Sequence, residues 1–274
     1  MSWNVAGRTK LLGEQTAAVT RQEPDLVCLQ EVRPSTRDPW AAALAEAGLP
    51  HALDSGEFRN GRRLFNLTAA RWPLTELPAI AAPHPERVLS TVVETPAGRL
   101  ALHNAHVPPA QSRGFLTVET CEAIYERRAR PADRHRILCG DLNLPREETV
   151  DGEVITFAES HPESGASTAA RLGCASQGLE RWDAAERSVI EGLAEWDLAD
   201  CFRALHGYER RDVSWVFHTR ARRKAGFRLD HVLASASLGV VWCDYQRDWR
   251  EQGLSDHSAI EALFEPNGAC GPKS

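Results

Sequence analysis

The sequence has no apolar run long enough to span a bilayer, and its first residues lack the charged-then-apolar order of a secretory leader. It also lacks a CxxC pair. Its seven cysteines (Cys28, Cys121, Cys139, Cys174, Cys201, Cys243 and Cys270) are scattered and odd in number, which argues against both a disulfide framework and a thiolate zinc site. A surplus of positive charge is missing too: the net charge is −6, so a basic coat for nucleic acid is excluded and any polyanion must be met by a local basic patch. No repeat and no Pro-rich or Gly/Ser linker divides the chain. These absences lead us to expect a cytoplasmic protein without membrane contact, and a monomer.

What is present is apolar material for a sizeable core, 42% of 274 residues, and a mixture of strand and helix patterns. We expect one α/β domain over residues 1–265 and a disordered tail over 266–274, where Pro266, Gly268, Gly271 and Pro272 cluster. The chain opens on Ser2-Trp3-Asn4-Val5, with Met1 only three residues ahead of Asn4, so the first strand is either very short or its start is set late. Leu26 to Leu29 reads as a buried strand ending in Gln30-Glu31, and Val88 to Glu94 with Arg99 to Val107 as a hairpin. Arg136 to Gly140 is a further buried strand. Arg146 to Glu180 reads as a long, partly irregular loop or insertion, Ala184 to Trp196 as the clearest helix, and Phe227 to Leu233 as one strand with an Asp inside it. Apparent hairpins disfavour a purely parallel sheet, and two packed sheets with outer helices account for the strand count.

Polar residues recur at the strand ends: Asn4, Glu31, His106, Asp141, Asn143, Asp230, Asp256 and His257. Singly, each has an ordinary explanation as a turn residue or a solvated strand end. Asp230 is the hardest to explain in that way, because a carboxylate in an apolar strand needs a partner. Jointly, hard oxygen donors with two or more imidazoles are what a Mg²⁺ or Mn²⁺ phosphoesterase requires. One acid then deprotonates the attacking water, and a His-Asp pair donates to the phosphoryl oxygens.

The ordered blocks SWNVAG (Ser2 to Gly7), PDLVCLQEV (Pro24 to Val32), NAHVP (Asn104 to Pro108), GDLN (Gly140 to Asn143), RLDHVLAS (Arg228 to Ser235) and LSDHSAI (Leu254 to Ile260) carry a resemblance. The chain resembles the endonuclease/exonuclease/phosphatase superfamily of exonuclease III, AP endonucleases and DNase I-like enzymes. That resemblance implies a four-layer α/β sandwich, two mixed β-sheets flanked by helices, and a metal-dependent phosphoester hydrolase. Carried over by position, Glu31 is the principal metal ligand, with Asn4 and Asp256 beside it. Asp141 orients or deprotonates the water, Asn143 binds the scissile phosphate, and His257, oriented by Asp230, donates to it. His106 matches a Tyr of the exonuclease III type and a His of the DNase I-like branch.

Trp215 and the basic run Arg222, Arg223 and Lys224 resemble the segment ahead of the RxD strand in exonuclease III. An aromatic beside cations suits a nucleic-acid groove, with Arg62 in a second basic turn as a further phosphate contact. DNA is therefore the expected substrate of a Mg²⁺- or Mn²⁺-dependent nuclease. A phosphatase or phosphodiesterase for a small or lipid phosphoester is the alternative, and a catalytically dead binding module is disfavoured because every block is filled.

Overall fold

Two six-stranded sheets carry the fold in a computed structural model that describes residues 1–56, 64–110, 115–132, 134–159, 176–218 and 224–266. The first sheet runs, from edge to edge, β15 (Val240–Gln246), β16 (Ala259–Phe264), β1 (Ser2–Asn4), β2 (Leu26–Val32), β4 (Phe65–Ala70) and β3 (His51–Asp54). The second runs β11 (Ala199–Asp200), β14 (Asp230–Ala234), β8 (His135–Asp141), β7 (Gly98–His106), β6 (Val88–Thr95) and β5 (Leu74–Glu76). Each sheet is mixed. Its parallel pair, β1 with β2 or β7 with β8, is joined by a helical crossover, α1 (Leu12–Thr20) or α3 (Phe115–Arg128), as parallel neighbours require.

Three apolar layers hold four layers of structure together. Trp3, Val19, Leu67 and, from α2 (Arg37–Glu46), Trp40 and Leu44 fill the space between the first sheet and its helices. Leu102, Ile137, Val232, Cys28 and Ile260 fill the space between the sheets. Val118 and Ile124 of α3 and Trp182 and Val189 of α4 (Ser176–Ile190) cover the outer face of the second sheet. The expected four-layer α/β sandwich is therefore the fold. No helix among the described residues is long and apolar enough to cross a membrane.

Between the sheets lies a buried amide network that the apolar patterns do not reveal. Gln30 Nε2 donates to Asn104 Oδ1 at 2.8 Å, and Asn104 Nδ2 donates to the carbonyls of Leu29 and Leu67 at 3.1 and 3.0 Å. Asn66 Nδ2 reaches the Asn104 carbonyl at 2.9 Å. These bonds pin one sheet to the other directly below Glu31 and His106.

Three sequence expectations need correction. The stretch after Arg146 is not a loop throughout: β9 (Glu147–Glu148) pairs with β10 (Val154–Ile155), and α4 begins at Ser176, since Leu179, Trp182, Ala185 and Val189 recur at helical spacing. That helix ends at Ile190, ahead of Trp196, and a 3₁₀ turn over Gly192–Trp196 follows it. The strand expected over Phe227 to Leu233 is two strands. Phe227 closes a hairpin of β12 (Trp215–His218) and β13 (Lys224–Phe227), and Asp230 starts β14. The break arises because Ser214 Oγ accepts the backbone N–H groups of Leu229 and Asp230 at 2.9 and 3.0 Å.

Candidate active site

The register of the second sheet sets Asp230, Asp141 and His106 in one row across three strands, Asp230 opposite Asp141 and Asp141 opposite His106. Gly140 permits this row: it has φ +137°, and a Cβ there would lie 1.8 Å from the Ala105 carbonyl oxygen of β7. The first sheet brings the remaining residues to the same edge. Asn4 ends β1, and a register shift between Leu29 and Val32 with left-handed backbone at Glu31 (φ +58°) re-aims the glutamate out of the ladder. Asn143 (φ +54°) and Ala6 (φ +53°) are left-handed as well, so three of the five non-glycine residues with positive φ among the described residues lie at this edge, the others being Glu23 and Asp197.

A cavity of about 200 Å³ opens here, lined among others by Glu31, His106, Asp141, Asn143, Asp256 and His257. Asn4 Nδ2 donates to Asp141 Oδ2 at 2.9 Å, and the Asn4 Oδ1 accepts from Ala6 N at 2.9 Å. Asp141 Oδ1 accepts from Asn143 N at 3.1 Å, while Asn143 Nδ2 donates to the Val107 carbonyl at 2.9 Å. His257 Nδ1 is bonded to Asp230 Oδ2 at 2.8 Å, and its Nε2 lies 3.8 Å from Asp141 Oδ2. His106 Nε2 is 3.6 Å from Glu31 Oε1 and 3.7 Å from Asp141 Oδ2, with Arg87 NH1 at 3.2 Å from each ring nitrogen.

Burial gives these groups distinct charges. It pushes the Asp141 carboxyl up to about 7, helped by Asp230 and Glu31 and opposed by His257 and the Asn4 hydrogen bond. Burial also disfavours a charge on His257, but the Asp230 and Asp141 carboxylates outweigh it and carry the imidazole up to about 10. His106 goes the other way: burial, then the Arg87 and His257 charges, hold it well below the usual range, so it is neutral. The edge thus combines a carboxyl that titrates near neutrality, a fixed cation and a neutral imidazole.

All eight strand-end residues singled out in the sequence converge. Trp215 joins them, its Nε1 donating to Asp256 Oδ2 at 3.2 Å and its ring 6.3 Å from that of His257. Arg62, Arg222 and Arg223, like residues 267–274 of the expected tail, lie outside the described residues, and for Lys224 only the backbone of β13 is described. Sequence reasoning passed over Ser214, Ser255 and Arg87. Ser255 Oγ donates to the Asn4 carbonyl at 2.6 Å and accepts from His257 N at 3.1 Å, which joins the first and last blocks. Its place inside LSDHSAI was the available signal.

The donor chemistry separates two sub-sites. Asp141, Asp230 and His257 place one ligand atom each within 4.8 Å of one another, but an imidazole protonated between two carboxylates forms an ion triple rather than a cation site. Among the described residues, Glu31 and Asp256 are the carboxylates that face the cavity beyond that triple, and no cysteine lines it. This oxygen set fits a hard divalent cation.

The chain belongs to the endonuclease/exonuclease/phosphatase family, whose model matches residues 1–257. It is 25% identical over 268 residues to the DNA repair nuclease APEX1 of Danio rerio, covering 94% of this chain and 79% of that protein. In fold it is similar to an AP endonuclease from Archaeoglobus fulgidus, with TM-score 0.69 and 18% identity over 96% of this chain and 98% of that one. It is similar as well to the 3′-5′ exonuclease NExo from Neisseria meningitidis, with TM-score 0.63 and 20% identity over 96% of this chain and 98% of that one.

Proposed function

We propose that the protein is a divalent-metal-dependent phosphodiesterase that cleaves DNA, of the AP endonuclease or exonuclease kind. The observation that carries this reading is the row of Asp230, Asp141 and His106, with His257 bound to Asp230 and facing Asp141 across the cavity edge. The similarity to a DNA repair nuclease supports DNA as the substrate.

Glu31 and Asp256 would hold the cation, Mg²⁺ or Mn²⁺, and its charge would offset that developing on the phosphoryl group. Asp141 accepts the proton of the attacking water, and its pKa of about 7 suits that task. Asn4 fixes the Asp141 carboxyl through Nδ2, and its Oδ1, which accepts from Ala6 N, would have a second lone pair to offer the cation. His257, protonated and held by Asp230, donates from Nε2 to a phosphoryl oxygen as negative charge moves there. Asn143 offers its second amide N–H to the phosphate, and neutral His106 completes the wall. Trp215 supplies an aromatic face at the rim, and the basic residues Arg62, Arg222, Arg223 and Lys224 are assigned to backbone phosphates.

The cavity of about 200 Å³ accommodates a single phosphoester group as well as a nucleotide in a strand, so the second reading is a phosphatase or phosphodiesterase for a small or lipid phosphoester. A substrate panel with Mg²⁺ separates the two: abasic duplex, plain duplex, single-stranded DNA, RNA, and sugar and inositol phosphates. The nuclease reading expects turnover on DNA, silenced by EDTA and restored by Mg²⁺ or Mn²⁺. Turnover confined to small phosphoesters, or resistant to the chelator, would remove it.

A further inference from the structure

β14 turns two consecutive residues to its two faces. Asp230 points to the cavity edge and holds His257, while His231, wholly buried, points the other way. No step of the reaction described above uses His231. Its Nδ1 is bonded to Asp200 Oδ2 at 3.0 Å, and its Nε2 lies 2.8 Å from the Leu144 carbonyl and 3.1 Å from the Arg228 carbonyl. Carbonyl oxygens only accept, so the Nε2 hydrogen is directed at them. Burial raises the Asp200 carboxyl, but Arg228 and His231 outweigh it and hold it well below the usual range, so Nδ1 donates to an anion. Asp200 is fixed in turn, its Oδ1 accepting from Arg203 N at 3.0 Å and its Oδ2 lying 2.9 Å from Arg228 NH1.

What His231 holds is the segment that carries Asn143. β8 ends at Asp141, and Leu142 to Leu144 run on beyond it. Val107 N donates to the Asp141 carbonyl at 2.9 Å, Leu142 N to the Leu229 carbonyl at 2.8 Å, and Asn143 N to Asp141 Oδ1 at 3.1 Å. These ties all lie on the amino side of Asn143. Its left-handed backbone costs roughly 1 kcal/mol and persists only where the surroundings hold it. The Leu144 carbonyl is the acceptor on the carboxyl side, and His231 is its donor. Asn143 and His257, the two groups assigned to the phosphate, are therefore both set by β14, one from each face.

We propose that His231 is a positioning residue: by holding the Leu144 carbonyl it keeps the Asn143 amide aimed at the phosphate that His257 meets from the other side. This role rests on the phosphodiesterase reading above. Anchored on Asp200, the imidazole is a rigid strut between β11 and the segment after β8, and a shift of the segment would misplace the amide without touching Asp141 or the cation ligands.

The test uses two amide variants. In His231→Asn the side-chain nitrogen reaches the place of Nδ1, so the Asp200 bond is kept and the Leu144 bond is lost; in His231→Gln it reaches the place of Nε2, and the reverse holds. Each loses one buried tie, so similar falls in Tm are expected. On an abasic-site duplex with Mg²⁺, kcat/KM is expected to fall about 30-fold in His231→Asn and to stay within about threefold in His231→Gln. On an Asn143→Ala background the further loss from His231→Asn should shrink to under about threefold, because the two act through one group. Hydrogen exchange at the Asn143 amide should quicken at least about tenfold in His231→Asn and not in His231→Gln. Equal kinetic losses in the two variants, an undiminished loss on the Asn143→Ala background, or unchanged exchange in His231→Asn overturns the proposal. If His231→Asn does not fold, the scalar coupling across the Nε2–H···O=C bond to Leu144 reads the hold in the native chain, and its absence overturns the proposal. A native chain inert on every phosphodiester removes the phosphodiesterase reading and this role with it, an outcome distinct from an active native chain with equal losses in the two variants.

Discussion

His257 stands between two carboxylates, 2.8 Å from Asp230 and 3.8 Å from Asp141, and this placement decides its charge. Its imidazolium persists to about pH 10, whereas Asp141 loses its proton near 7. Activity should therefore rise with pH along a limb at or below about 7, since a bound cation further favours the carboxylate, and fall along a limb near 10. Asp230→Asn removes the foremost charge that raises His257, so the falling limb should move to lower pH by at least about one unit, read from a kcat/KM profile. A falling limb unmoved in that variant would mean that Asp230 does not set the charge. At this scale the sequence was legible in part. Glu31 at the end of an apolar run and Asp230 ahead of another are visibly misplaced charges. The neighbours Asp256 and His257 do not pair with each other: their partners are Trp215 and Asp230, and the Asp230–His257 pair is the one the resemblance implies. The left-handed turn at Glu31 leaves no mark in composition.

The elements that carry the site are strands whose register matters more than their length. β2, β6, β7 and β8 are legible as apolar runs because both faces of each are covered. β9, β10 and β11, of two residues each, and the division between β13 and β14 are not legible, because their ends are set by side chains such as Ser214 rather than by apolar periodicity. Asn104, read only as part of a motif, is the main tie between the sheets. Asn104→Ala takes the side-chain donor from the Leu29 and Leu67 carbonyls and one acceptor from Gln30 Nε2, which keeps its bonds to Ser2 Oγ and the Cys28 carbonyl. At about 1 kcal/mol for each lost bond, it should cost about 3 kcal/mol in urea unfolding. A loss below about 1 kcal/mol would show that the network contributes little to holding the sheets.

For the molecule as a whole, a buried ion network locks the second sheet behind the site. Glu148 accepts from Arg228 at 2.7 and 2.8 Å and from Arg203 of α5 (Cys201–His206) at 2.7 and 3.2 Å. Burial opposes its charge, but Arg228 and Arg203 outweigh burial and hold the Glu148 carboxyl at about 2. Because that value lies below the ~4.3 of an unfolded glutamate, the stabilisation is complete above about pH 4.3 and is lost as the pH falls toward 2. Glu148→Gln should cost about 3 kcal/mol at pH 7 and flatten acid unfolding in that window; an unchanged acid transition would contradict this. The net charge of −6 gave no hint of such a network, since it reports surplus and not arrangement.

The central claim is that Asp141 takes the proton in metal-dependent phosphodiester hydrolysis. Its most direct measurement is the Mg²⁺-supported cleavage rate of an abasic-site duplex by the native chain and by Asp141→Asn, with matching circular dichroism as the control for folding. The account predicts cleavage by the native chain and a loss of about 10³-fold in the variant; a folded variant that cleaves within tenfold of the native rate would contradict it.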